Sequence, residues 1–197
     1  GIIDSEDYIQ TLSELNDETI ETLASSLSNS KFIKQNLSEI LKMLLEEMNT
    51  GENEFTIQVL EEDEWTELEL SCIFNAFREI AKSGLLSDEP TEAFKTLEDE
   101  SIDSLAYYLA NSKFVKINLN SIIDMLIGEV DLGGVTIKGF EDDSNWSESE
   151  LKNLFKGFST IFKSGLIGSD DYMKSLSELE DETIEELASS LSGSKFI

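Results

Sequence analysis

The sequence predicts a mainly α protein: a tandem repeat of roughly 82-residue four-helix modules, each with one short β segment, forming a semi-rigid rod. Three observations predict it. Asn29-Ser30-Lys31-Phe32-Ile33 returns as Asn111-Ser112-Lys113-Phe114-Val115 and again as Gly193-Ser194-Lys195-Phe196-Ile197, each step 82 positions on. Between these landmarks the apolar residues recur mostly at helical spacing. The end of each module, Lys82-Ser83-Gly84 or Lys163-Ser164-Gly165, runs into the next with no flexible linker between them. The boundaries are 1–83 for module 1, 84–164 for module 2 and 165–197 for a partial third module holding the first two helices. The first and third copies agree at 24 of 33 positions, and the middle copy matches far less well. The unit of duplication is therefore a module pair, and the residues read as a window on a longer array. Each full module is long enough for a small core of its own.

Within a module the first helix is read from Tyr8, Leu12 and Leu15, repeated as Tyr172, Leu176 and Leu179. A second is expected behind Asp17, Asp99 and Asp181, each placed to cap it, with Ile20, Leu23, Ala24 and Leu27 on its apolar stripe. The Asn-Ser-Lys-Phe turn then leads into the longest amphipathic run, Phe32 to Met48 or Phe114 to Val130, expected to be one core helix. After glycine breakers, Phe55, Ile57 and Val59, or Val135 and Ile137, alternate as in a short strand. The fourth helix opens with Trp65-Thr66 or Trp146-Ser147. Thr66 with Glu69 and Ser147 with Glu150 fit a capping box, and Trp65 with Leu70 and Trp146 with Leu151 fit the accompanying hydrophobic staple. It closes on lysine and then glycine, as a left-handed C-terminal cap requires. Pro90 sits at the expected start of the first helix of module 2, where its missing N–H does no harm.

Composition narrows function. With 42 acidic residues against 14 basic ones and a formal net charge of -28, the chain makes a poor partner for nucleic acid or anionic lipid. Basic proteins, cations and water remain. No apolar run reaches the roughly 20 residues a membrane helix needs, so no membrane insertion is expected. The absence of histidine rules out Ser-His and Cys-His nucleophile pairs. Cys72, the only cysteine, is matched by Asn153 in module 2, which removes it from any repeated metal site. No glycine-rich phosphate loop appears. The expectation is a protein that is not an enzyme and has no cofactor.

Acidic runs stand before both tryptophans, Glu61 to Glu64 and Glu141 to Asp143. Acids collect there because the positive end of a helix dipole favours them. Alternatively Asp63 and Glu64, with Asp142 and Asp143, supply the oxygen ligands of a hard-cation site, for which Ca²⁺ is the natural ion, although the spacing is not that of an EF-hand. Candidate partner contacts are the strand residues Phe55, Ile57, Val59, Val135 and Ile137, whose backbone edge needs a partner, and the pair Tyr107 and Tyr108. The first and third copies have Ser25-Ser26 and Ser189-Ser190 in place of those tyrosines.

The Asn-Ser-Lys-Phe turn, the Thr-Ile-Gln-Val or Thr-Ile-Lys-Gly segment and the Trp-[Thr/Ser]-x-x-Glu start running to Lys-Ser-Gly-Leu together resemble helical tandem-repeat modules of large bacterial cell-surface proteins. The resemblance implies an extracellular or cell-surface stalk, adhesin or fibre segment, and it brings no catalytic or binding residue with it. The expected function is structural: a segment of a long acidic surface rod whose partners are adjacent modules of the same chain and, laterally, copies of itself. The rival expectation is a scaffold whose repeated acidic faces capture a basic protein or divalent cations.

Overall fold

A computed structural model describes residues 5–48, 57–87, 90–127, 146–165 and 179–193. Among them are eleven helices: α1 (Ser5–Ser13), α2 (Asp17–Ser28), α3 (Lys31–Lys34), α4 (Leu37–Met48), α5 (Glu67–Ser83), α6 (Pro90–Thr96), α7 (Asp99–Asn111), α8 (Lys113–Ile117), α9 (Leu119–Ile127), α10 (Glu148–Lys163) and α11 (Asp181–Ser192). A single 3-10 turn covers Glu62–Glu64. No strand occurs among the described residues. None of the described helices is long and apolar enough to cross a membrane.

The run expected to be one core helix is broken in two in both modules, so each carries five helices and not four. The break falls at asparagine. Asn36 Nδ2 donates to the carbonyl of Phe32 (2.8 Å), and Asn118 Nδ2 donates to that of Phe114 (2.8 Å), the backbone acceptor four residues earlier in each case. A short amide side chain that competes with the backbone in this way favours a helix end over a helix interior. Ser30 and Ser112 cap the short helices that precede the breaks, accepting from the N–H groups of Ile33 and Val115. The expected aspartate caps shift by one residue as well. Asn16, Glu98 and Glu180 stand at the N-cap, and the aspartates fill the first turn. There they still favour the helix dipole.

The central element is the tryptophan-led helix, α5 or α10, at 17 and 16 residues the longest described in each module. Thr66 and Ser147 accept from the N–H groups of Glu69 and Glu150 and fix its start. At the other end Gly84 and Gly165 take φ of +73° and +68°, the left-handed conformation that glycine adopts without a Cβ penalty. Gly84 then passes directly to Leu85 and Leu86, both buried.

Module ends and module beginnings interleave. Helix α5 packs against α1 and α2 of its own module and against α7 and α8 of the next. Helix α10 repeats this, lying on α6 and α7 and on α11 of the third copy. The stacking order is thus α2, α5, α7, α10, α11. One continuous apolar core runs from Leu12 to Phe162, so the separate core expected for each module is replaced by a shared one. Side-chain volume is redistributed along it. Where module 1 has Leu12 and Ala81, module 2 has Phe94 and Phe162, whose rings stack at 5.4 Å. Each large apolar group fully buried in this way contributes about 1.5–3 kcal/mol.

Burial at equivalent positions follows the stack. Ile20 and Ile102 are 1% and 3% exposed, each facing the end helix of its own module, whereas Ile184 on α11 is 47% exposed. Leu105 and Leu109 of α7 are fully covered, while their counterparts Leu23 and Leu27 on α2 are only half-buried. The middle copy, flanked on both sides, buries both faces of its second helix. The outer copies each bury one.

Candidate functional site: the junction between modules

Among the described residues, the densest polar chemistry lies where module 1 meets module 2. Glu69, three residues into α5, is buried, and its carboxylate faces the start of α8. Oε1 accepts from Ser112 Oγ at 2.6 Å and from the Phe114 N–H at 2.9 Å, and Oε2 accepts from the Lys113 N–H at 3.0 Å. A buried carboxylate is costly unless its lone pairs are met, and here three donors meet them. Glu69 was expected to reach back to the amide of Thr66 and complete a capping box. Only half of that box forms, because the carboxylate caps a helix of the neighbouring module instead. In module 2 the box closes as expected, with Glu150 Oε2 accepting from the Ser147 N–H at 2.7 Å.

Trp65 lies beside this contact, buried, with its ring 5.6 Å from that of Phe114. Tryptophan and leucine are both buried at the two helix starts, as a staple demands, but the indole of Trp65 also forms one wall of the junction. A second polar clasp is formed by Asn118. Its Oδ1 accepts from the Gln58 N–H (2.7 Å) and its Nδ2 donates to the Gln58 carbonyl (2.9 Å). The buried side-chain amide therefore supplies the donor and acceptor that a neighbouring strand would have supplied, and this explains why residues 57–60 need no ladder to satisfy Gln58. The same Nδ2 bonds Phe114, so one side chain both ends α8 and ties module 1 to module 2.

On the far side of α5, Arg78 is buried and bonded to Asp17 (2.6 Å) and Glu79 (3.1 Å). Burial opposes its charge, yet the two carboxylates outweigh that and hold the guanidinium above its ordinary range. The hydrogen bond from Arg78 and its charge in turn hold the Asp17 carboxyl below the usual carboxylate value. Tyr108 stands within electrostatic reach of all three, its phenol pushed up mainly by burial.

The residues singled out from sequence are placed as follows. Asp63 and Glu64 lie in the 3-10 turn, Asp63 exposed. The Glu64 carboxylate accepts from the Glu61 N–H at 3.1 Å and from Lys113 Nζ at 3.4 Å, and these two contacts hold its carboxyl below the ordinary value. Glu64 thus also reaches across the junction. Asp142, Asp143, Phe55, Val135 and Ile137 lie outside the described residues. Ile57 is half-buried against the core and Val59 is exposed, so the apolar face expected of Phe55, Ile57 and Val59 does not extend inward through Val59. Tyr107 is half exposed and meets Tyr108 edge-on at 5.2 Å, with Tyr108 turned toward α5. Among the described residues no group of three acids, histidines or cysteines is arranged to hold a metal ion. Cys72 is buried, and burial, then the nearby Glu69, pushes its thiol up, away from the thiolate form that reacts.

The junction on α10 is chemically distinct. Arg78 and Glu79 are replaced by Ser159 and Thr160, and Tyr107 and Tyr108 by Ser189 and Ser190. Asn153 stands where α5 has Cys72, and Gly193 where the other copies have asparagine. These two exchanges are complementary. A Cβ on Gly193 would run into Nδ2 of Asn153 and lie 3.1 Å from its Cγ, so the larger residue on α10 fits because the smaller one follows α11. Glu69 and Asn118 were missed as junction residues because their partners lie 43–45 and 60 positions away. A signal was nevertheless present: Glu69 and Glu150 stand at equivalent positions, as do Asn36 and Asn118. Compared with protein families, curated proteins and solved structures, the chain matches none of them.

Proposed function

We propose that this chain is a structural segment of a long, acidic surface rod, an adhesin stalk or fibre, in which interlocked modules carry length and stiffness. The observation behind this reading is that each tryptophan-led helix is packed between the second helices of two consecutive modules within one continuous core. A contact that joins only neighbours, repeated along the chain, makes extent proportional to module number. Buried clasps at Glu69 and Asn118 resist bending at the junction in a way that a polar linker cannot. The net charge of -28 keeps such a segment hydrated and discourages non-specific association. Adjacent modules of the same chain are its first partners.

The test is made in the organism that produces the protein. An epitope tag beyond the array is expected to be accessible to antibody on intact cells. Its distance from the envelope should change in equal steps as module pairs are deleted or duplicated. A tag reached only after lysis, or a distance indifferent to module number, overturns the reading.

A further inference from the structure

We infer that side-chain size at one matched pair of positions in each junction is a sorting key: it lets a tryptophan-led helix accept the second helix of the module that follows and disfavours the other copies of that helix. The inference rests on the stacking alone and stands whether or not the segment lies at a cell surface.

A chain built from near-copies has little else to sort them by. Helices α2 and α11 differ at a single position, Thr22 against Glu186. Helix α7 carries Ile102, Leu105, Ala106 and Leu109 where α2 has Ile20, Leu23, Ala24 and Leu27. Apolar burial on α5 or α10 therefore ranks the three alike, and assembly with the wrong copy is a characteristic failure of repeat proteins. Discrimination has to come from what differs between the junctions.

What differs is where the bulk lies. On α10 Asn153 is large, and Gly193, which follows α11, has no side chain; a Cβ there would lie 3.1 Å from Asn153 Cγ and closer still to Nδ2. On α5 the order is reversed, since the equivalent of Asn153 is Cys72 and that of Gly193 is Asn111. Cys72 stands one turn beyond Glu69, whose carboxylate binds Ser112, the residue next to Asn111. Each junction thus matches one large residue with one small one. Exchanging partners spoils both. A helix like α7 in the place of α11 would set a second asparagine against Asn153, and a helix like α11 in the place of α7 would leave Cys72 and a glycine with a gap between them. The key even separates the two most similar copies, because α2 is followed by Asn29, which would meet Asn153 as Asn111 would. Tyr108 reinforces it: it lies beside Arg78, whereas α2 and α11 carry Ser26 and Ser190 at that position and α10 carries Ser159 in place of Arg78.

Amide hydrogen exchange on the full chain tests the key, with circular dichroism as the check on folding. Gly193 has a φ of -86°, where alanine is unstrained, and Gly→Ala at such a place ordinarily stabilises by restricting the unfolded chain. The key reverses that sign. Gly193→Ala should speed exchange along α11 about threefold, and in the Asn153→Ala background the same substitution should slow it about twofold. At the other junction Cys72→Asn should speed exchange along α7 about tenfold. Adding Asn111→Gly should recover most of that, although it removes the hydrogen bond from Asn111 Nδ2 to the Tyr107 carbonyl. Slower exchange in Gly193→Ala alone overturns the proposal, as does a Cys72→Asn loss that Asn111→Gly deepens. Cys72 is buried, so where Cys72→Asn fails to fold, the pair at the exposed Gly193 decides alone. Neither result touches the surface reading, which the tagged arrays test separately.

Discussion

Removing the Glu69 carboxylate perturbs the module junction at its most concentrated point. Three donors converge on it at 2.6, 2.9 and 3.0 Å. Hydrogen bonds to a charged group carry roughly 1.5–3 kcal/mol each, but these three share one charge whose desolvation costs several kcal/mol, so they do not add. The loss is better counted from what remains behind. Ser112 Oγ and the Phe114 N–H are buried, and an unpaired buried donor costs about 1–3 kcal/mol, while the Lys113 N–H is only partly buried and can recruit water. Glu69→Ala should therefore destabilise by about 2–6 kcal/mol on the same scale. Glu69→Gln keeps an acceptor for Ser112 and Phe114 but turns its amide toward the Lys113 N–H, a loss of about 1–2 kcal/mol. Thr66→Ala, which removes only the helix cap, should cost about 1 kcal/mol and leave α8 untouched. Urea denaturation gives the totals, and amide exchange at Phe114 and Val115 locates them. Both amides should exchange faster in Glu69→Ala and at the wild-type rate in Thr66→Ala, whereas in Glu69→Gln the faster amide should be that of Lys113. A Glu69→Ala chain within 1 kcal/mol of wild type, or one with those two amides unchanged, would refute the clasp.

Asn118→Ala should leave the Gln58 N–H and carbonyl without their partner and cost about 1–3 kcal/mol, with faster exchange at Gln58 as the local sign. Gly193→Asn, which restores the residue found in the first two copies, should loosen α11 by about 1–3 kcal/mol through overpacking against Asn153. Asn153→Cys, the residue of α5, should relieve it, and amide exchange along α11 reads both. Asp17 titrates below its unfolded value of 3.8, so the Arg78 contact contributes stability fully above that pH and loses it as the pH falls through the lower folded value. The gap in melting temperature between wild type and Asp17→Asn should accordingly be constant near neutrality and close at more acid pH; a gap that widens in acid would contradict the assignment.

What was legible in the sequence was local. The helix start at Thr66 and Ser147 and the left-handed turn at Gly84 and Gly165 depend on residues within a few positions of each other, and both take the expected form. The mainly helical class follows from the same short-range periodicity. What stayed hidden depends on distant partners. Asn36 and Asn118 lie inside continuous apolar patterns that favour unbroken helices, yet their side chains compete with the backbone and break them. Residues 57–59 alternate as a strand would, but Asn118 satisfies Gln58 without a sheet. Glu69 matches a local motif, but the start of α8 outcompetes its own N-cap for the carboxylate. The tyrosine pair was visible as a departure between copies, and only the fold could show that Tyr108 lies beside Arg78.

Stacking in the order α2, α5, α7, α10, α11 is most directly tested by small-angle X-ray scattering on chains of increasing module number. Stacked modules predict a maximum dimension that grows linearly with module number at constant cross-section. Growth near the square root of module number, as for flexibly joined units, would contradict it.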